Sequence, residues 1–130
     1  MKNAAKVQYE FAQAEECLAA GQMLAREGYY NSSCNRLYYA VFHAAKSLML
    51  AEDRETKPHK GLFNQFGLLF VQTGVFSKEE NTLYRRMIDA RDGADYGYLA
   101  DFTEADARAY LPRVAAFLAK AKSLLDFPDA

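Results

Sequence analysis

Residues 34–49, CNRLYYAVFHAAKSLM, decide the fold class, because their apolar side chains recur at steps of three and four. This spacing is the period of an α-helix and differs from the strict alternation that marks a half-buried strand. The apolar face is wide, which predicts a helix that lies centrally in a bundle. That face carries Cys34, Leu37, Tyr38, Val41, Phe42, Ala45, Leu48 and Met49.

The chain before and after this stretch shows the same period. Gly28 is a natural end for a first helix, and the polar residues 31–33 are predicted to cap the second. Pro58 suits the first turn of a third helix, which Gly74 ends. The first helix is predicted to bury Val7, Phe11, Ala14, Leu18, Gly21 and Ala25, and the third Leu62, Phe63, Phe66, Leu69 and Phe70.

Two capping boxes predict the last two helices. Ser77 with Glu80, and Thr103 with Asp106, have the spacing in which a hydroxyl and a carboxylate satisfy free backbone N–H groups. We therefore predict an all-α up-and-down bundle of four or five helices, built as one domain over residues 1–130. The fourth helix is predicted to carry Leu83, Tyr84, Met87, Ile88 and Arg91, and the fifth Ala109, Val114, Phe117, Leu118, Ala121, Leu124 and Leu125.

Bulk composition narrows the class of protein. The 130 residues are 51% hydrophobic and 14% aromatic, which is enough to form a core without disulfides or metal. With a net charge of -1, the chain lacks the excess of basic residues that is typical of a dedicated nucleic-acid-binding protein. The two cysteines form no disulfide framework, and no apolar run reaches the roughly 18 residues of a membrane span. We therefore expect a cytoplasmic protein with no membrane partner.

Several kinds of chemistry have no motif in this chain. Cys17, Cys34, His43 and His59 do not have metal-ligand spacing, and neither CxxC nor HExxH occurs. Glycine-rich phosphate loops and the GxSxG elbow of serine hydrolases are also missing. We accordingly predict no metal site and no cofactor.

Two polar groups remain as candidate functional residues. Arg36, Tyr39 and His43 share one face of the second helix, either as a partly buried polar face or as the wall of a ligand cleft. On the fourth helix, Arg91 and Asp95 lie four residues apart, with Tyr98 near the same face. They form either an internal salt bridge or an arginine held by a carboxylate and directed at a phosphate, which its planar fork matches.

These segments resemble the HEPN family, the higher eukaryotes and prokaryotes nucleotide-binding domain, and most closely its small stand-alone prokaryotic members. The resemblance spans about residues 5–125 and rests on four segments in the family's order: residues 36–46, residues 58–61, residues 70–74 and residues 91–96. It implies a bundle of four or five helices that forms a homodimer. The high aromatic content agrees, because aromatic side chains are enriched in interface cores.

The resemblance also implies a function. Many family members are ribonucleases or toxins with an Arg-x(4–6)-His motif, and they work with a small nucleotidyltransferase as antitoxin. In the toxin-like form of this motif, Arg-x4-His-x-Tyr, Arg91 matches the arginine and Tyr98 the tyrosine, which the transferase can modify in relatives with the full motif. Tyr96 occupies the histidine position. A tyrosine, with a pKa of about 10, transfers protons poorly at neutral pH.

We therefore weigh three hypotheses. The first is a homodimeric binding module for nucleotide or RNA that works beside a nucleotidyltransferase in a toxin–antitoxin-like or defence system. The second is a metal-independent ribonuclease in which Arg91 and His43 are the catalytic residues. The third is a structural interaction protein. In the first, the ligand-binding residues are Arg36, Tyr39, His43, Arg91, Asp95, Tyr96 and Tyr98.

Overall fold

The computed structural model describes residues 3–96 and 102–125, without the side chains of residues 94–96. The described residues form five helices and no strand, so the predicted all-α bundle is confirmed. The helices are α1 (Ala4–Arg26), α2 (Tyr30–Ala51), α3 (His59–Phe66), α4 (Lys78–Tyr96) and α5 (Glu104–Leu124). A π-helical turn, Gly67–Val71, continues α3.

Helix α2 lies at the centre of the bundle and contacts each of the other four helices. This confirms the position predicted from its wide apolar face. It packs most extensively against α1, where Gly21 allows a close approach. A Cβ atom at Gly21 would lie 3.0 Å from Leu37 Cδ2. The Ser33 hydroxyl donates a hydrogen bond to the Gly21 carbonyl at 2.7 Å, which ties the two helices together at this point.

A cluster of aromatic rings fills the core between α3, α4 and α5. The Phe66 ring lies 5.0 Å from Phe76, 5.5 Å from Tyr84 and 5.7 Å from both Phe70 and Phe117. The sequence did not predict the π-helical turn. It follows Phe66, the last residue of α3, and precedes Gly74, which was predicted to end the third helix.

The helix ends follow the sequence in some places and depart from it in others. Gly28 and Gly74 take positive φ angles of 85° and 83°, as expected of residues that end helices. The predicted cap at residues 31–33 is wrong, because α2 begins at Tyr30 without a side-chain cap. Asn31 instead accepts a hydrogen bond from the Phe102 N–H at 2.9 Å.

Three other expectations need correction. Pro58 precedes the first turn of α3 and lies at its N-cap in an extended conformation. Ala109 and Leu124 are exposed, because the buried face of α5 runs through Ala107 and Ala121. Four residues that were predicted to be buried are only partly buried: Leu18 and Ala25 on α1, Phe63 on α3 and Leu69 in the π-helical turn. Within residues 3–96 and 102–125, no helix is both long enough and apolar enough to cross a membrane.

Both predicted capping boxes are present, at Ser77–Glu80 and at Thr103–Asp106. Thr103 accepts a hydrogen bond from the Asp106 N–H at 3.2 Å, and the Asp106 carboxylate accepts one from the Thr103 N–H at 2.9 Å. We expect Thr103→Ala to lower the free energy of unfolding by about 1 kcal/mol, measured by urea denaturation. Thr82→Ala, at an exposed position inside α4, is the control and should change it by less than about 0.5 kcal/mol.

Candidate ligand-binding site

Tyr39, which is partly exposed on α2, lies between three of the predicted site residues. The Arg36 guanidinium carbon lies 5.2 Å from the centroid of the Tyr39 ring, and that of Arg91, on α4, lies 5.9 Å from it. The His43 ring centroid is 6.2 Å away. We call Arg36, Tyr38, Tyr39, His43 and Arg91 the Tyr39 cluster. It joins the two sequence segments that were predicted separately.

Arg91 is held in place by contacts on several sides. Its guanidinium carbon lies 4.5 Å from the centroid of the Tyr38 ring, and Nη1 donates a hydrogen bond to the Tyr39 hydroxyl at 3.4 Å. Nη2 donates to the Asp92 carboxylate at 2.9 Å. Burial lowers the pKa of Arg91, but the hydrogen bond to Asp92 and the nearby phenols outweigh that effect, so the pKa is raised. The arginine therefore keeps its charge although its side chain is only 19% exposed.

Asp92, the acidic partner of Arg91, was not predicted. Side chains at neighbouring positions of a helix do not face each other, so helical spacing predicted only the residue four positions later, Asp95, as the partner. The long arginine side chain nevertheless reaches Asp92. The side chains of Asp95 and Tyr96, and the whole of Tyr98, lie outside the described residues.

Arg36 provides the second guanidinium of the cluster. Nε and Nη2 donate hydrogen bonds to the Asn35 amide oxygen at 3.1 and 2.6 Å. Nη1 lies 4.0 Å from the Cys17 sulfur. Burial raises the pKa of the Cys17 thiol and the Arg36 charge opposes this only in part. Cys17 therefore stays a neutral thiol beside Arg36, and the arginine's charge is not cancelled by a thiolate.

His43 is bound by a carboxylate that sequence reasoning missed. The Glu10 carboxylate, on α1, lies 2.6 Å from His43 Nδ1 and 3.2 Å from Lys46 Nζ. Glu10 is only 9% exposed, and its position three residues after Val7 places it on the buried stripe of α1. A charged residue on an apolar stripe was the available signal, because buried carboxylates are found paired.

A cavity of about 400 Å³ opens beside this ion pair. It lies between the first turns of α1 and the last turns of α2, next to the part of the cluster that contains His43. Lys6, Tyr9, Glu10, Lys46 and Leu50 line it.

His59, at the start of α3, also reaches the cluster and was missed as a site residue. Its Nδ1 lies 2.9 Å from the Tyr38 hydroxyl, and its ring stacks on Phe42 with centroids 5.3 Å apart. Burial raises the pKa of Tyr38 to about 12, against the opposing charge of Arg91. The Tyr38 hydroxyl is therefore protonated at neutral pH and able to donate to His59. Nothing in the spacing of the sequence connects these two residues.

The arrangement favours binding of an anion that carries a ring. Two guanidinium groups and two imidazoles lie around the partly exposed rings of Tyr39 and Phe42. Arginine pairs with phosphate through parallel hydrogen bonds. Across the described part of the chain, no three His, Cys, Asp or Glu side chains come together as a possible metal site.

Comparison with known proteins identifies the family. The family model for the HEPN domain matches residues 7–124. The chain belongs to the HEPN family. A UPF0332 protein of Thermotoga maritima is 32% identical over 120 residues, which cover 92% of this chain and 91% of that protein.

Two relatives from Methanocaldococcus jannaschii have names that refer to a toxin. "Putative toxin MJ0605" is 36% identical over 83 residues, covering 64% of this chain and 62% of that protein. "Putative toxin MJ0142" is 28% identical over 112 residues, covering 86% and 76%.

Proposed function

We propose that this HEPN protein is a homodimeric binding module that holds a phosphate of nucleotide or RNA at the Tyr39 cluster. In this proposal it works beside a small nucleotidyltransferase in a toxin–antitoxin-like or defence system. The observation that carries the proposal is the placement of Arg91. Its charged group is held by Tyr38, Tyr39 and Asp92 while a second arginine, Arg36, lies against the same tyrosine.

The local charges favour an anionic ligand. Asp92 opposes the charge of Arg91, but Arg36 is bonded to a neutral amide and adds a second positive charge. The Glu10 carboxylate is already engaged by Lys46 and His43. Counted over the described residues, the cluster therefore has an excess of positive charge, although the chain as a whole has a net charge of -1.

The direct test is to titrate the protein with nucleoside monophosphates and with a short single-stranded RNA, alone and in the presence of a small nucleotidyltransferase. We expect Arg91→Ala to weaken the bound complex about 10- to 100-fold, because a hydrogen bond to a charged group contributes about 1.5–3 kcal/mol. Arg85→Ala is the matched control, since Arg85 lies on the same helix, is 65% exposed and pairs with Asp89.

Two results would count against the proposal. One is the absence of binding by the wild-type protein, both alone and with the transferase. The other is equal affinity of wild type and Arg91→Ala, together with a lower free energy of unfolding in the variant. The second result would favour the structural hypothesis, in which the cluster only stabilises the packing of α2 against α4.

A second function, metal-independent cleavage of RNA with Arg91 and His43, is favoured by one contact. A carboxylate that hydrogen-bonds one imidazole nitrogen orients the ring and leaves the other nitrogen to accept a proton. Glu10 stands in this relation to His43. Cleavage of RNA in the presence of a chelator, lost in both His43→Gln and Arg91→Ala, would support it. Binding of RNA without cleavage would rule out this second function and would remain consistent with the first.

A further inference from the structure

Hydrogen bonds hold the walls of the cavity of about 400 Å³ between the start of α1 and the end of α2. The Asn3 side-chain amide, one residue before α1, donates to the Leu50 carbonyl of α2 at 3.2 Å and to the Asp53 carboxylate at 3.4 Å. These bonds fix the two helix ends relative to each other. The volume lies in the range of small-molecule sites, about 300–1,000 Å³.

The third wall is the loop between α2 and α3, which contributes Thr56. Gln65 of α3 holds both neighbours of this residue. Its amide oxygen accepts a hydrogen bond from the Lys57 N–H at 3.0 Å, and its amide nitrogen donates one to the Glu55 carbonyl at 2.8 Å. The cavity is therefore formed before a ligand binds, and binding does not require its walls to become ordered.

Lys46 presents a positioned ammonium group to this cavity. Its Nζ lies 3.2 Å from the Glu10 carboxylate, and the side chain is 31% exposed. An ammonium group has three N–H donors, and the carboxylate takes one of them. The other donors are able to bind a ligand in the cavity that Lys46 lines.

The charges of the lining residues select a ligand with one negative charge. Lys6, exposed on α1, provides a second ammonium group in addition to that of Lys46. Glu10 is the one carboxylate among the described lining residues, and it is already bound by Lys46 and His43. Two ammonium groups and one carboxylate leave one positive charge, which a monoanion balances.

The rest of the lining favours an organic ligand over an inorganic anion. Leu50 and Ala5 provide aliphatic surface, and Tyr9, a residue that is 63% exposed, provides an aromatic ring. Small-molecule sites combine such apolar walls with a few polar groups that fix the orientation of the ligand. A carboxylate with an apolar body matches both parts of this lining.

We propose that this cavity binds a small organic monocarboxylate, whose charged end accepts hydrogen bonds from Lys46 and Lys6 and whose apolar body packs on Leu50 and the Tyr9 ring. The site takes a different class of ligand from the Tyr39 cluster, so it stands independently of the function proposed above. Because the Glu10 carboxylate contacts both Lys46 and His43, occupancy of the cavity is linked to the cluster through one residue.

Four probes test the two halves of the ligand. Benzoate has both a carboxylate and an apolar ring, benzamide is its neutral isostere, acetate lacks the ring, and inorganic phosphate is a multivalent anion without one. Nuclear magnetic resonance titration gives the dissociation constants and the residues affected. We expect benzoate to bind at least about tenfold more tightly than each of the other three, with shifts concentrated at residues 5–10 and 46–56.

Substitutions in the lining test the two kinds of contact. Lys46→Met removes the ammonium group but keeps the apolar stem, so it should weaken benzoate binding about tenfold. Lys6→Met, at an exposed position, should weaken it about threefold, and it keeps the test valid if Lys46→Met is unstable. Lys78→Met is the matched control, since Lys78 is exposed on α4 and does not line this cavity. Leu50→Ala should weaken the binding of benzoate but not that of acetate.

Benzoate binding that is weakened in Lys46→Met and Lys6→Met but unchanged in Lys78→Met supports the site. Equal binding of benzoate and acetate, or tighter binding of phosphate, overturns it, because either result indicates a surface that attracts any anion. Weaker benzoate binding in Arg91→Ala also overturns it, since the carboxylate would then be held at the Tyr39 cluster. If nucleotides and RNA failed to bind while benzoate gave the expected pattern, only the proposed function would be contradicted.

The side-chain resonances of His43 report the link between the cavity and the cluster. We expect benzoate to shift them in wild type, because the ligand and His43 both contact the group formed by Glu10 and Lys46. Benzoate binding without a shift at His43 would overturn the link and leave the site itself supported.

Discussion

Phe66→Ala is expected to lower the free energy of unfolding by about 3–5 kcal/mol, the range found when a large buried aromatic side chain is truncated. The Phe66 side chain is fully buried and packs against four rings. These are Phe70 of the π-helical turn, Phe76 of the segment before α4, Tyr84 of α4 and Phe117 of α5. Alanine would leave a cavity that these rings cannot fill without losing contacts among themselves.

Urea denaturation followed by far-ultraviolet circular dichroism measures the effect. Leu68→Ala is the matched control, because Leu68 lies two positions later and is 61% exposed. Its change should stay within about 0.5 kcal/mol. If Phe66→Ala cost no more than Leu68→Ala, the aromatic cluster would not be the main packing unit between α3, α4 and α5.

The parts of the fold that the sequence predicted well are those set by local patterns. The two capping boxes and the glycine ends depend on residues within one turn of each other, so short-range spacing is sufficient. The error at the start of α2 has a tertiary cause. Asn31 and Ser33 have the right chemistry for a cap, but Phe102 and Gly21 engage their side chains from other segments.

The site was harder to predict for the same reason. Helical spacing indicated that Arg36, Tyr39 and His43 share a face, but it does not say which residues of other helices approach that face. Glu10 and His59 come from α1 and α3, and only packing brings them to α2. The side chains that hydrogen-bond the two histidines from other helices therefore could not be identified from the helical spacing of α2.

A steep loss of stability in alkaline solution is the second large effect, and Tyr38 should cause much of it. The folded protein raises the pKa of this buried phenol to about 12, while an exposed tyrosine has a pKa of about 10. Between these pH values, the unfolded chain releases a proton that the folded chain keeps. The stabilisation is therefore complete well below pH 10 and is lost at up to about 1.4 kcal/mol per pH unit, so that about 2 kcal/mol is lost between pH 10 and 12.

Urea midpoints measured from pH 8 upward would test this prediction. In Tyr38→Phe the loss between pH 10 and 12 should be smaller than in wild type by about 2 kcal/mol, because phenylalanine has no proton to lose. Burial also raises the pKa of Tyr84, so the variant should keep a part of the alkaline loss. Tyr9→Phe is the control, since Tyr9 is 63% exposed and its variant should follow the wild-type curve. If Tyr38→Phe instead lost stability along the same curve as wild type, the Tyr38 hydroxyl would not be buried in the folded protein beside Arg91 and His59.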